Sequence, residues 1–139
     1  MKNTIIKVWS FVCAIFAFLL GDFDFLLKAI IALMFLDYVT GICKAFIQKK
    51  VNSTIGANGI VKKVVYLCII AIAVILDQLL NMGGSFRTLI ITTFIFNEIL
   101  SILENCCEMG IKVPKVLYET LEKINLSKEI EIKKWKIKK

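Results

Sequence analysis

The sequence predicts an all-α integral membrane protein with three to four transmembrane helices, a short C-terminal amphipathic helix and a basic tail. Three observations predict it. Hydrophobic residues make up 58% of the 139, above the ~45–50% of soluble domains. They are gathered in four long blocks. The lysines sit mostly at the ends of those blocks and in the tail.

The first block, Ile5–Leu20, carries Lys7. It is short for ~30 Å of hydrocarbon at ~1.5 Å per helical residue. It could span a thinned bilayer, lie in the interface or re-enter. Its start resembles a signal peptide, but Gly21-Asp22-Phe23-Asp24 follows with no small-x-small cleavage site, so it is expected to be retained. The second block, Phe25–Ile47, contains Lys28, Asp37 and Lys44. The third, Val64–Met82, contains Asp77, and the fourth, Phe86–Leu103, contains Arg87 and Glu98. Spans are therefore expected at about 5–20, 25–47, 64–82 and 86–104, inside a transmembrane domain of residues 1–110. Asn52 to Gly59 reads as a loop and Gly83-Gly84-Ser85 as a tight helical turn. Pro114 is placed to open a helix with Val116, Leu117, Leu121 and Ile124 on one apolar stripe. Residues 111–139 are expected to be a cytoplasmic helix and a Lys-rich tail.

Charge sets the expected orientation. The stretch 48–63 carries Lys49, Lys50, Lys62 and Lys63, and the tail carries Lys133, Lys134, Lys136, Lys138 and Lys139. Both should face the cytoplasm by the positive-inside rule. An even number of crossings separates them, so the two assignments agree. The tail lysines are expected to bind anionic lipid. The net charge is +7 and Arg87 is the only arginine. The placement of the lysines favours membrane lipids over nucleic acid as partner.

Polar residues inside the blocks are the candidate functional positions. Asp37, Gly41, Lys44 and Gln48 recur at helical spacing on one face of the second block. Tyr66, Ala73, Asp77 and Asn81 do so on the third. Thr93, Asn97, Ser101, Glu104 and Glu108 do so on the fourth, next to Glu98. Such stripes either join helices by hydrogen bonds of ~0.6–2 kcal/mol each or meet water in an assembled state. Asp37 and Lys44 lie about 10 Å apart along the axis, so a neighbouring helix is the expected source of a partner for Asp37. Lys28 and Arg87 read as interfacial anchors that snorkel.

Several chemistries find no residues here. The sequence has no His and no CxxC among its five cysteines, so zinc sites and His-based triads are not expected. Gly56-Ala57-Asn58-Gly59 lacks the Lys-Ser/Thr of a phosphate loop. No cofactor, metal, small-molecule substrate or enzymatic activity is expected.

The residues resemble a family. The stretches FLDYVTGICKAFIQKKVNSTIGANGIVKKVVYL (35–67), LDQLLNMGG (76–84) and FIFNEILSILENCCEMGIKVPKVLYETLEKI (94–124) resemble the holins of phages of Gram-positive bacteria. Among these, the likeness is to the holin-like protein encoded with the large clostridial toxins. It covers residues 7 to about 124. Its marks are Asp37 with Gly41 and Lys44, Asn52-Ser53, Gly59 before Lys62-Lys63, Asp77, Asn97-Glu98, Ser101, Glu104-Asn105, Gly110 and Pro114. The resemblance implies a multi-span protein of the bacterial cytoplasmic membrane that forms homo-oligomers. It implies lesions that release endolysin or large toxins lacking signal peptides. From the residues alone, the competing class is a small secondary transporter or ion channel using its intramembrane carboxylates. A membrane adaptor using its basic tail is a third.

Overall fold

A computed structural model describes residues 2–50, 53–117, 119–120 and 123. Four helices form in chain order: α1 (Lys2–Leu20), α2 (Phe25–Ile47), α3 (Ser53–Leu80) and α4 (Ser85–Glu108). No strand occurs among the described residues. Three apolar segments, Phe25–Ile47, Gly56–Leu80 and Ser85–Glu108, have the length and hydropathy of membrane spans. At ~1.5 Å per residue each exceeds the ~30 Å hydrocarbon layer. In α1 the apolar stretch Thr4–Leu20 is shorter. The protein is therefore an all-α membrane protein with three helices of spanning length and one short apolar helix.

Local chemistry sets the helix ends. Gly21 closes α1 at φ +74°, donating its N–H to the Ala17 carbonyl at 3.0 Å. That left-handed conformation favours glycine. The Asp24 carboxylate then caps α2 by accepting from the Leu27 N–H at 3.0 Å. Between α3 and α4, Gly83 (φ +60°) and Gly84 (φ +86°) make the expected tight turn. A Cβ on either would meet nothing within 4 Å, so dihedral freedom, not space, requires glycine there. Gly84 has no side chain with which to cap α4. Asp77 supplies the cap from α3, accepting from the N–H groups of Phe86 at 2.9 Å and Arg87 at 2.8 Å.

The start of α3 differs from the sequence expectation. Residues 53–59 are helical, not a loop, and Asn52 lies outside the described residues. Two glycines lower helix propensity by ~1 kcal/mol each, which made the stretch read as a connection. The bundle uses both. A Cβ on Gly56 would sit 3.5 Å from the Tyr38 hydroxyl, and one on Gly59 3.8 Å from the Tyr38 ring. Tyr38 of α2 thus packs over the glycine face of α3 at ordinary contact distances, and tertiary packing outweighs local propensity.

α4 packs most extensively on α2 and next on α3, while α1 rests on α3. The apolar core is Leu27, Ile30 and Met34 of α2, Ile70 of α3, Ile91 and Phe94 of α4, and Leu20 at the end of α1. Tyr66 stacks on Phe94 with ring centroids 4.0 Å apart. Much apolar surface faces outward, including Phe35, Phe46, Ile72, Leu79 and Leu89. In water such a surface would be a liability. On membrane-length helices it is the lipid-facing side. On α1, Trp9, Phe11, Phe16 and Phe18 are all exposed. Past α4, Gly110 takes φ +84° and residues 115–117 are helical after Pro114. Leu121, Ile124 and the tail lysines lie outside the described residues.

Candidate functional site

Buried charge is placed at two levels of the bundle. The first lies at the hairpin end, where α3 turns into α4. Arg87 is only 9% exposed there and does not snorkel, contrary to its reading as an anchor. Its Nε donates to the Leu20 carbonyl at 2.8 Å, and its Nη2 to the Asp22 carbonyl at 2.7 Å. Nη1 and Nη2 also fork onto the Asp24 carboxylate at 2.8 and 3.1 Å. A single guanidinium ties the α1–α2 connection to the α3–α4 turn, using the rigid multi-donor geometry that lysine lacks. Lys28, by contrast, is exposed, with its ammonium 5.3 Å from the Phe23 ring.

The Arg87 guanidinium, together with the Leu27 N–H, holds the Asp24 carboxyl down to about pKa 2, below its ordinary 3.8. A depressed acid pKa stabilises the fold above the unfolded value and loses that contribution as pH falls through the folded value. The detergent-solubilised protein is therefore expected to hold its unfolding temperature from pH 7 to about pH 4 with respect to this pair. The contribution is then lost toward pH 2. Arg87→Lys is expected to lower stability by about 2 kcal/mol, the scale of one or two charge-assisted hydrogen bonds, and to flatten that acid limb. Thermal unfolding across pH for both proteins checks this. An unchanged acid limb in the variant counts against the clasp.

The second level joins three helices, near the middles of α2 and α4 and in the first half of α3. Lys63 of α3 donates to Asp37 of α2 at 2.9 Å and also to Glu98 of α4. The side chains of Lys63, Asp37 and Glu98 are 15%, 18% and 7% exposed. Asn105 completes the network, donating to Asp37 and to the Thr40 hydroxyl at 3.2 Å each. Gly41 faces it, where a Cβ would lie 3.8 Å from the Asn105 amide, an ordinary contact. Every buried side-chain N or O among the described residues has a hydrogen-bond partner. The partner expected for Asp37 from another helix is Lys63, a residue that the sequence reading placed in a connecting loop.

The remaining candidate positions separate into different tasks. Lys44 and Gln48 both reach Glu108 of α4, at 3.4 and 3.1 Å. Asp77 serves inside the subunit as the α4 cap. Asn97 is half-buried on α4. Ser101 is half-buried and lines a cavity of about 380 Å³ with Asp37, Lys63 and Asn105. Glu104 is exposed, on a separate groove formed with Ile111 and Lys115. Sequence reasoning missed Lys63, Arg87, Asp24 and Asn105 as partners. For Asn105 a signal existed: it falls seven residues after Glu98, two helical turns along the same face.

No group of three or more His, Cys, Asp or Glu suited to a metal ion occurs among the described residues. With both carboxylates ionised, the triad of Asp37, Glu98 and Lys63 carries one net negative charge inside the bundle. Ionisable groups on membrane-length helices are costly and rare, which makes the triad a candidate functional position.

Comparison with known proteins finds relatives along most of the chain. The model of the bacteriophage holin family matches residues 14–125, from within α1 to beyond α4. A protein named as the uncharacterized 14.9 kDa protein in the nagH 3′ region of Clostridium perfringens is 39% identical, covering 92% of this chain and all of its own length. An uncharacterized protein of Listeria monocytogenes is 38% identical over 75% of this chain and 74% of its own. A probable holin of Bacillus phage phi105 is 30% identical over 78% of this chain and 79% of its own. No solved structure is significantly similar. With the family match running through all three membrane-length helices and both charged levels, the chain belongs to the bacteriophage holin family.

Proposed function

We propose that the protein is a holin of the bacterial cytoplasmic membrane. It accumulates as closed subunits, self-associates and opens lesions that release endolysin, or large toxins lacking signal peptides. The observation that carries this reading is the Lys63–Asp37–Glu98 triad, a buried ionic group held across three helices of membrane length. Membership in the holin family and the likeness to a probable phage holin support the same role. The family also points to a non-enzymatic protein.

In this reading the closed subunit hides Asp37 and Glu98 behind Lys63. In the assembled lesion the faces bearing Asp37, Gly41, Lys44 and Gln48, and Asn97, Ser101 and Glu104, turn toward water or another subunit. Asp77 stays on α4 as its cap. The test is induced expression in a bacterium that carries a cytosolic reporter enzyme. A holin arrests growth abruptly and releases the enzyme. The buried carboxylates also favour a transporter or channel, which would show saturable ion flux and leave the enzyme inside living cells. Absence of enzyme release at high membrane abundance would reject the holin reading.

The α2–α3 connection and the basic tail face the cytoplasm in this proposal. Single cysteines placed at Ser53 and at Lys139, in a background without the five native cysteines, are expected to resist an impermeant thiol reagent in intact cells before lysis. Both should react after the membrane is opened. Labelling of either one in intact cells would reverse the orientation.

A further inference from the structure

The 380 Å³ cavity between α2, α3 and α4 is lined by Asp37, Lys44, Asn58, Lys62, Lys63 and Ser101, among other residues. Its volume is that of a small-ligand site. Its lysines are not equivalent. Lys44 is paired with Glu108, and Lys63 with Asp37 and Glu98. Lys62 is exposed and has no ion-pair or hydrogen-bond partner among the described residues. Asn58 lies one helical turn before Lys62, on the same face of α3. The first turns of α3 also bring the positive end of its dipole to this side. Among the described residues neither the Lys62 ammonium nor the Asn58 amide has a side-chain partner, and both line the cavity. Ile42 and the Tyr38 ring give the cavity an apolar wall.

We propose that this cavity takes the phosphate headgroup of an anionic phospholipid, with Lys62 as its principal contact and Asn58 as a hydrogen-bond donor. The lipid's acyl chains leave the cavity on the side of Ile42. A free anion would use the lysine but has no need of that apolar margin. A cation would meet three lysines and one carboxylate. Basic pockets between membrane helices are a recognised form of lipid site. The proposal needs the chain to sit in a membrane and does not depend on lesion formation.

The experiment uses the full chain in detergent, titrated with phosphatidylglycerol or phosphatidylcholine, and reads the unfolding midpoint. Phosphatidylglycerol is expected to raise the midpoint more than phosphatidylcholine does. Lys62→Gln is expected to weaken the phosphatidylglycerol effect by about fivefold in apparent affinity, the equivalent of one lysine near an anionic headgroup. Lys62→Arg should restore it, and Lys28→Gln at the opposite end should leave it unchanged. The tail lysines are common to every protein compared, so they do not enter the difference. Equal responses of wild type and Lys62→Gln overturn the proposal. So does an equal rise with inorganic phosphate alone, which would make this a site for free anions. Lesion formation is scored separately, so failure here leaves the holin reading standing.

Discussion

Lys63→Met is expected to destabilise the closed bundle by about 3–5 kcal/mol, the usual consequence of removing one partner from a buried ion pair. Two carboxylates, Asp37 and Glu98, would then share a site that is otherwise largely closed to water. Neither has a second cation within ion-pair distance among the described residues. The bundle can relieve them only by taking up protons or by opening toward water or a neighbouring subunit. Leakage of a cytosolic enzyme should therefore start earlier at matched membrane abundance, and the unfolding midpoint in detergent should drop. The decisive control neutralises all three positions. Lys63→Met combined with Asp37→Asn and Glu98→Gln should recover most of the lost stability, because replacing a whole buried ionic set is often neutral. If Lys63→Met unfolds with wild type and leaks on the wild-type schedule, the triad does not hold the bundle closed.

The residue at the centre of that prediction was the least legible in the sequence. Hydropathy located α2 and α4 closely, because their apolar runs are long and bounded by turn residues. Asp37 and Glu98 stood out, since a carboxylate inside such a run requires an explanation. Lys63 did not. It follows Lys62 at the edge of an apolar run, where the positive-inside rule assigns lysines to a loop. Only packing distinguishes the two: α3 extends back to Ser53, and consecutive helical residues point about 100° apart. Lys63 therefore turns into the bundle while Lys62 stays exposed. Arg87 was obscured for the same reason. An arginine at the first turn of a span resembles a snorkelling anchor, and nothing in its neighbours reveals that Leu20, Asp22 and Asp24 return to it from the α1–α2 connection. Asp77 was visible as a polar residue on α3. Its task as the cap of α4 depends on the hairpin geometry set by Gly83 and Gly84. Periodicity finds faces, whereas partners across helices are a tertiary fact.

Substitution of Asp37 is expected to act in the opposite direction to Lys63→Met. Removing its charge leaves Lys63 and Glu98 as a one-to-one pair and takes the triad from net negative to neutral. The closed subunit loses an ion-pair contact of 2.9 Å but also loses the surplus charge that favours exposure to water. Asn105 keeps its hydrogen bond to Thr40, so it is not orphaned. Asp37→Asn preserves shape and some hydrogen bonding and should delay the onset of leakage. Asp37→Leu also removes the polarity that would favour a wet or subunit-facing position. It should abolish release of the cytosolic enzyme while the protein still inserts. A simple loss of packing predicts something else: both variants would then be less stable and would leak early or fail to accumulate, like Lys63→Met. The comparison is made at equal membrane abundance, with enzyme release followed from induction for wild type, Asp37→Asn, Asp37→Leu and Lys63→Met. Early release with Lys63→Met and late or absent release with the Asp37 variants would identify net charge at the triad as the driver of opening. If Asp37→Leu lyses cells on the wild-type schedule and to the same extent, Asp37 is only a packing contact between α2 and α3.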